Sequence, residues 1–177
     1  MIRIIGIAVL AVSALLVAVA GAWAQGKGAD KDLGEFGDWR AQTYTENGKI
    51  ACTIWSQPLK DTGEYKTRGA IYLYVTHRPA AKQFNEVQIV AGYRYKKGSE
   101  VHVRIGGEIF KLFTWNDTAW ARKPAIDRKL VAAMRRGNSM IVNGISSRGT
   151  STTDTYSLKG ISGAHDAINK ACGVKGK

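Results

Sequence analysis

Cysteine, histidine and proline are scarce in this 177-residue chain, with two, three and three of them. Two distant cysteines and three scattered histidines form no ligand pairs at the spacing a zinc site needs, so no metal is expected. No Pro/Ser-rich linker divides the chain, which argues for one domain. Catalytic motifs are missing too. Gly160-Ile161-Ser162-Gly163-Ala164 resembles a nucleophile elbow but lacks the final Gly, and no α/β-hydrolase sheet precedes it. The stretch Gly144 to Gly149 fails on spacing, and Gly106-Gly107 reads as a turn, not as a phosphate-cradling loop. His77, His102 and His165 fall on separate expected elements. A general base needs a partner within hydrogen-bond reach, and spacing supplies none. These absences point away from an enzyme and from any cofactor.

The N-terminus is informative. Arg3 is the only charge before an apolar run over 4–20, which ends in Ala22-Trp23-Ala24. A basic start, an apolar middle and a small-x-small end predict a secretory signal peptide over 1–24, with Gln25 as the new terminus. A retained anchor is the alternative, since about 20 uncharged residues can span a bilayer; the Ala- and Gly-rich run and well-formed cleavage site favour removal. No Cys stands at the cut, which argues against a lipid anchor. The expected location is the periplasm, with secretion or surface association as variants, and no transmembrane segment is expected after cleavage. Residues 25–35 are small and polar and predict a mobile leader, followed by one domain over 36–174. An oxidising compartment favours joining Cys52 to Cys172, the alternative being two free thiols.

From Phe36 onward the pattern is mostly strand. An aromatic-rich segment over 36–44 precedes Asn47-Gly48, the dipeptide suited to a tight hairpin, and a return strand over 50–57 stopped by Pro58. After a polar loop, 70–76 is apolar on both faces and belongs in the middle of the structure. Strands over 86–95 and 99–105 flank the turn Lys96-Lys97-Gly98, and 108–115 follows Gly106-Gly107. Ile126, Leu130, Ala133 and Met134 then make one apolar stripe on a helix over 125–136. Strands over 140–146 and 152–159 lead to a last helix over 162–172, with Ser162 as its N-cap. Short strands with two short peripheral helices predict an all-β antiparallel sandwich.

Charge is distributed unevenly. Lys and Arg outnumber Asp and Glu by nine to eight over 25–93 and by sixteen to six over 94–177. Such asymmetry attracts polyanions, and export makes an anionic envelope component or an acidic protein the expected partner in place of nucleic acid. The candidate anion-binding residues are Arg94, Lys96, Lys97, Arg122, Lys123, Arg128, Arg135 and Arg136, interleaved with Tyr95 and Trp120. They are expected to form one continuous face; a merely solubilising face is the alternative.

One set of motifs runs in order along the chain: Phe36-Gly37-Asp38-Trp39, Gly48-Lys49 before Cys52, Thr76-His77-Arg78-Pro79, Asn85-Glu86-Val87 and Asp117-Thr118-Ala119-Trp120. Its most specific part runs from Ala133-Met134-Arg135-Arg136-Gly137 to Ser147-Arg148-Gly149, Asp154 and Gly160. In these motifs the chain resembles the invasion-associated locus B family of secreted and periplasmic alphaproteobacterial proteins. The resemblance covers roughly 36–172 and implies an immunoglobulin-like β-sandwich in the cell envelope with no established enzymatic activity. Other branches carry an additional Cys pair where this chain has Phe113-Thr114-Trp115-Asn116-Asp117. Two functions follow as expectations. The first is a non-enzymatic envelope binding protein. Its competitor is a periplasmic hydrolase or lyase whose acid and base, among Asp38, Asp154 and His165, meet only after folding.

Overall fold

The computed structural model describes residues 30–174, so the expected signal peptide and residues 25–29 of the leader lie outside the described residues. Strand pairing begins earlier than expected. β1 (Lys31–Phe36) is antiparallel to β2 (Trp39–Glu46), with a register shift between Asp32 and Gly34. The expected leader is thus corrected over 31–35. Polar composition disguised an edge strand, which needs only one apolar contact face, here Leu33 and Phe36 against the core. The expected single strand over 36–44 is broken by a turn at Gly37-Asp38.

Asn47 and Gly48 take φ values of 50° and 71°, as a tight two-residue hairpin requires. They join β2 to β3 (Lys49–Ser56). The chain then crosses to β4 (Lys60–Gly63), an exposed four-residue strand where a polar loop was expected. β5 (Tyr72–Arg78) lies inside the sheet, as its two apolar faces demanded. β6 (Gln83–Val90) follows a 3-10 turn at Pro79–Ala81. β7 (Glu100–Ile105) and β8 (Glu108–Trp115) form a hairpin, and a tight turn with Asn116 at φ 53° leads to β9 (Thr118–Trp120). The expected hairpin around Lys96-Lys97-Gly98 is absent. β6 pairs with β9 instead, and residues 91–99 run as an irregular connection held by Ala91 and Tyr95 N–H groups donating to Asp117 and Asn116 carbonyls. Turn chemistry was legible there, but the partner strands are set by long-range packing.

α1 (Pro124–Arg136) buries Leu130, Val131, Ala133 and Met134 and packs mainly on β6. β10 (Ser139–Ile145), β11 (Ser151–Ser157) and α2 (Ile161–Ala171) complete the chain. Eleven strands form one antiparallel sheet in the order β1-β2-β3-β5-β6-β9-β8-β7-β10-β11-β4. Its inner rows include Ala41, Ile54, Val75 and Val87 on one half and Phe110, Val103 and Val142 on the other. Both rows belong to one buried cluster. The sheet folds over this core, and Trp39 closes it: the indole Nε1–H donates to the Ser157 carbonyl at 3.1 Å, tying β2 to β11. The all-β antiparallel sandwich with two helices is therefore present, its layers joined through β9 into one sheet.

Ser162 does not cap α2. The cap position is Gly160 at φ 92°, and Ser162 Oγ donates to the Arg135 carbonyl of α1. A Cβ on Gly160 would lie 1.9 Å from the Phe36 carbonyl oxygen, so β1 and the start of α2 can meet only over a glycine. Gly160→Ala is expected to cost at least about 3 kcal/mol, read as a lowered urea midpoint; an unchanged midpoint would contradict this packing.

Candidate functional site

A cleft of about 680 Å³ opens where β6, the β8–β9 turn and the start of α1 meet. Three of the expected cations line it: Arg122 and Lys123 from the segment before α1, and Arg128 one turn into the helix. Arg78 and Lys82 face them from the end of β5 and the 3-10 turn. Phe84, Phe113, Trp115 and Trp120 supply aromatic surface, and Trp115 is 70% exposed. Trp115 and Phe84 both leave aromatic surface open along the same cleft, and an exposed apolar patch, unlike a single exposed side chain, marks an interaction site.

The cations are not equally available. Arg78 is held by Glu46 (2.7 Å) and by Glu86, and Arg122 sits over the Phe113 ring with Glu100 3.7 Å away. Among the described residues no ion pair involves Lys82, Lys123 or Arg128. On the acidic side, Asp127 accepts from the Val87 N–H at 3.0 Å, and burial pushes its carboxyl up to about 6. The cleft therefore has a surplus of positive charge above an apolar floor.

The other expected cations lie elsewhere. Arg94 lines a different cleft together with Arg148. Lys96 and Lys97 sit exposed on the turn before β7, held by the Lys96 N–H donating to the Ile145 carbonyl. Arg136 reaches Glu108 at 3.2 Å. Arg135 turns toward α2 and contacts His165 Nδ1 and Asp166, each at 2.7 Å. The expected single face is thus divided: Arg128 stays at the cleft, whereas Arg135, roughly 10 Å further along the α1 axis, is drawn to Asp166 and Arg136 to Glu108. Sequence reasoning missed Lys82, Phe84 and Trp115 as cleft residues. They come from far-separated segments, and an exposed Trp among polar neighbours was the only available signal.

Tertiary structure also gathers two of the three histidines. His77 on β5 and His165 on α2 stack edge to face with ring centroids 5.4 Å apart. The Asn85 N–H donates to His77 Nδ1 (3.0 Å), leaving Nε2–H to donate to Asn169 Oδ1 (2.9 Å). His165 Nδ1 faces Arg135 and the Asn169 amide, while its Nε2–H donates to Asn85 Oδ1 at 2.7 Å. Each ring has an acceptor nitrogen facing donors, so both are neutral. Burial, His77 and Arg135 lower His165 to about 4. The cluster fastens α2 to β5 beside the disulfide; every ring nitrogen is already engaged.

His165 and Asp127 act oppositely on acidification. His165 takes its proton below its ordinary 6.5, so stability falls as the pH drops from about 6.5 toward about 4. Asp127 takes its proton above its ordinary 3.8, so stability rises between about 6 and that value. Each contributes up to about 2 kcal/mol after allowing for partial water access. Urea midpoints against pH should show the Asp127→Asn advantage at pH 7 vanishing near pH 4, and the His165→Gln deficit shrinking over the same range. Profiles parallel to the parent's would refute both assignments.

The model of the family described as Invasion associated locus B (IalB) protein matches residues 39–169. The chain belongs to the IalB family. Among solved structures it is similar to the crystal structure of invasion associated protein B from Bartonella henselae, at 14% identity and a TM-score of 0.56. That match covers 78% of this chain and 95% of the other, and it speaks for the fold alone. No curated protein is significantly similar in sequence.

The IalB match includes every residue lining the cleft and all six motif positions expected from the resemblance. The structure assigns several of these to architecture. Trp39 closes the sheet, Gly149 turns at φ 88° between β10 and β11, Gly160 admits Phe36, and Asp154 pairs with buried Arg68. Trp120 lines this cleft and Arg148 the one that also holds Arg94. Cys52 and Cys172 are bonded, with Cα atoms 6.1 Å apart; Cys172 lies just beyond the matched residues.

Proposed function

We propose that this IalB-family protein is an exported, non-enzymatic binding protein of the cell envelope. It holds an anionic envelope component or an acidic partner in the cleft between Trp115 and Arg128. Family membership supports a virulence-associated envelope role. The observation that carries the reading is the set of cations without an ion pair among the described residues, Lys82, Lys123 and Arg128, beside exposed Trp115. Charge-assisted hydrogen bonds from such groups to phosphate or carboxylate oxygens are strong, and an indole adds contact area at little entropic cost.

The competing hydrolase or lyase finds little support. Asp154 is engaged by Arg68, His165 is locked neutral in its amide network, and Asp38 sits exposed at the β1–β2 turn, donating through its backbone N–H to Lys159. The three are held by separate networks, with none as a partner of another.

Binding to acidic liposomes or acidic glycan should weaken with added salt. Lys82→Glu/Lys123→Glu/Arg128→Glu should weaken it at least about tenfold, the loss of one charge-assisted hydrogen bond being worth about that much, with an unchanged melting temperature. Undiminished binding by this variant would overturn the assignment of the cleft. Export is tested separately, by finding the chain in the periplasmic fraction with Gln25 at its terminus.

A further inference from the structure

A second cleft of about 500 Å³ lies between the 64–68 loop, Tyr93-Arg94 and the β10–β11 turn. Its base is rigid. The Arg68 guanidinium, with its side chain only 4% exposed, grips both Asp154 oxygens at 2.6 and 2.7 Å and donates from Nε to the Ala91 carbonyl at 2.7 Å. It also lies over the Tyr93 ring at 4.9 Å, and the Tyr93 hydroxyl meets Thr152 Oγ1 at 2.5 Å. Gly144 makes room for that hydroxyl, since a Cβ there would come within 2.7 Å of it.

Asp154 neutralises Arg68, yet three more cations line the same cleft: Lys66, Arg94 and Arg148. None of them has an ion pair among the described residues. Their only acidic neighbour in the lining is Glu64. Arg94 and Arg148 are also tied to one another through the backbone, because the Ser147 N–H donates to the Arg94 carbonyl at 2.7 Å. The turn carrying Arg148 is held in turn by the Thr150 N–H donating to Ser146 Oγ at 3.1 Å. Among the described residues the Ser147 hydroxyl has no hydrogen-bond partner, and it lines the cleft beside them.

We propose that this cleft is a binding site for a phosphate-type oxyanion, either free phosphate or a phosphomonoester headgroup, separate from the Trp115 cleft and independent of its function. Three cations against one carboxylate leave a surplus close to two charges, which matches the roughly −1.5 to −2 of a phosphomonoester at neutral pH. Phosphate oxygens can also accept from guanidinium forks and a hydroxyl at the same time. The fixed base means that little ordering is needed when the anion arrives, which favours binding.

The test uses the mature oxidised chain and amide chemical shifts. Inorganic phosphate should move the Tyr93, Ser147 and Thr150 amides saturably. Arg94→Gln/Arg148→Gln should weaken that binding about tenfold or more at an unchanged melting temperature, whereas the Lys82/Lys123/Arg128 variant should leave it intact. Vesicles of phosphatidylcholine with phosphatidate distinguish the source. Binding that depends on Arg94 and Arg148 there points to a lipid headgroup, and phosphate binding without vesicle binding points to a soluble phosphate. Acetate acting as well as phosphate, shifts confined to the Trp115 cleft, or a double variant that binds like the parent would each overturn the proposal. Because the two clefts are mutated separately, failure of one reading leaves the other testable.

Discussion

Removing the Cys52–Cys172 bridge, by reduction or as Cys52→Ser/Cys172→Ser, is expected to lower stability by about 3–5 kcal/mol. The bridge spans a sequence separation of 120 residues, so in the chain-entropy model its loss frees a large denatured ensemble. It also joins β3 to the end of α2: Cys52 is fully buried on β3, and Cys172 follows α2. The His77–Asn169 and His165–Asn85 bonds remain after reduction, so the first region to lose protection should be the end of α2, not the sheet. Urea unfolding with and without reductant, combined with hydrogen exchange, reads both effects. A midpoint that does not move, or exchange that accelerates first in β10 and β11, would refute this account.

Arg68→Met is the second change with a large expected effect, again about 3–5 kcal/mol. Asp154 sits in the inner register of β11, opposite Val142 of β10, and its side chain is 3% exposed. Without the guanidinium, a carboxylate remains buried against apolar neighbours with no counter-charge. Asp154→Leu alone should be comparably harmful, because the Arg68 guanidinium is then buried without a counter-charge. The double variant Arg68→Met/Asp154→Leu should recover most of the loss, since a well-packed apolar pair of similar volume often equals a buried ion pair. A thermodynamic cycle over the four proteins checks this; additive losses would show that the two side chains do not act as a unit.

Several parts of this protein follow from local rules and were therefore legible. Asn47-Gly48 demands positive φ at both positions, and the β2–β3 hairpin forms there. The stripe of Ile126, Leu130, Ala133 and Met134 has a helical period, and α1 spans Pro124–Arg136 with Leu130, Ala133 and Met134 buried. Two cysteines in a chain expected to be exported had only each other as partners. Where local pattern was weak, the reading failed for identifiable reasons. β1 and β4 are edge strands, which bury one side at most and so need little apolar sequence. Ser162 has an N-cap's chemistry, yet the close approach of Phe36 places the cap at glycine and leaves the serine to bridge the two helices.

The β-rich class, both helices, the first hairpin, the cysteine pair and the charge surplus of the C-terminal half can all be read from the residues, because each depends on residue type and short-range periodicity. Only the packed fold settles that β6 pairs with β9, that His77 meets His165, that Arg68 neutralises Asp154, and that Arg122, Lys123 and Arg128 line one cleft, Arg94 another, and Lys96, Lys97, Arg135 and Arg136 neither. Those outcomes depend on which distant segments share a core and on the direction in which each side chain leaves its element. Charge counted along the chain carries no information about either, so a surplus read as one face is spread over several parts of the surface.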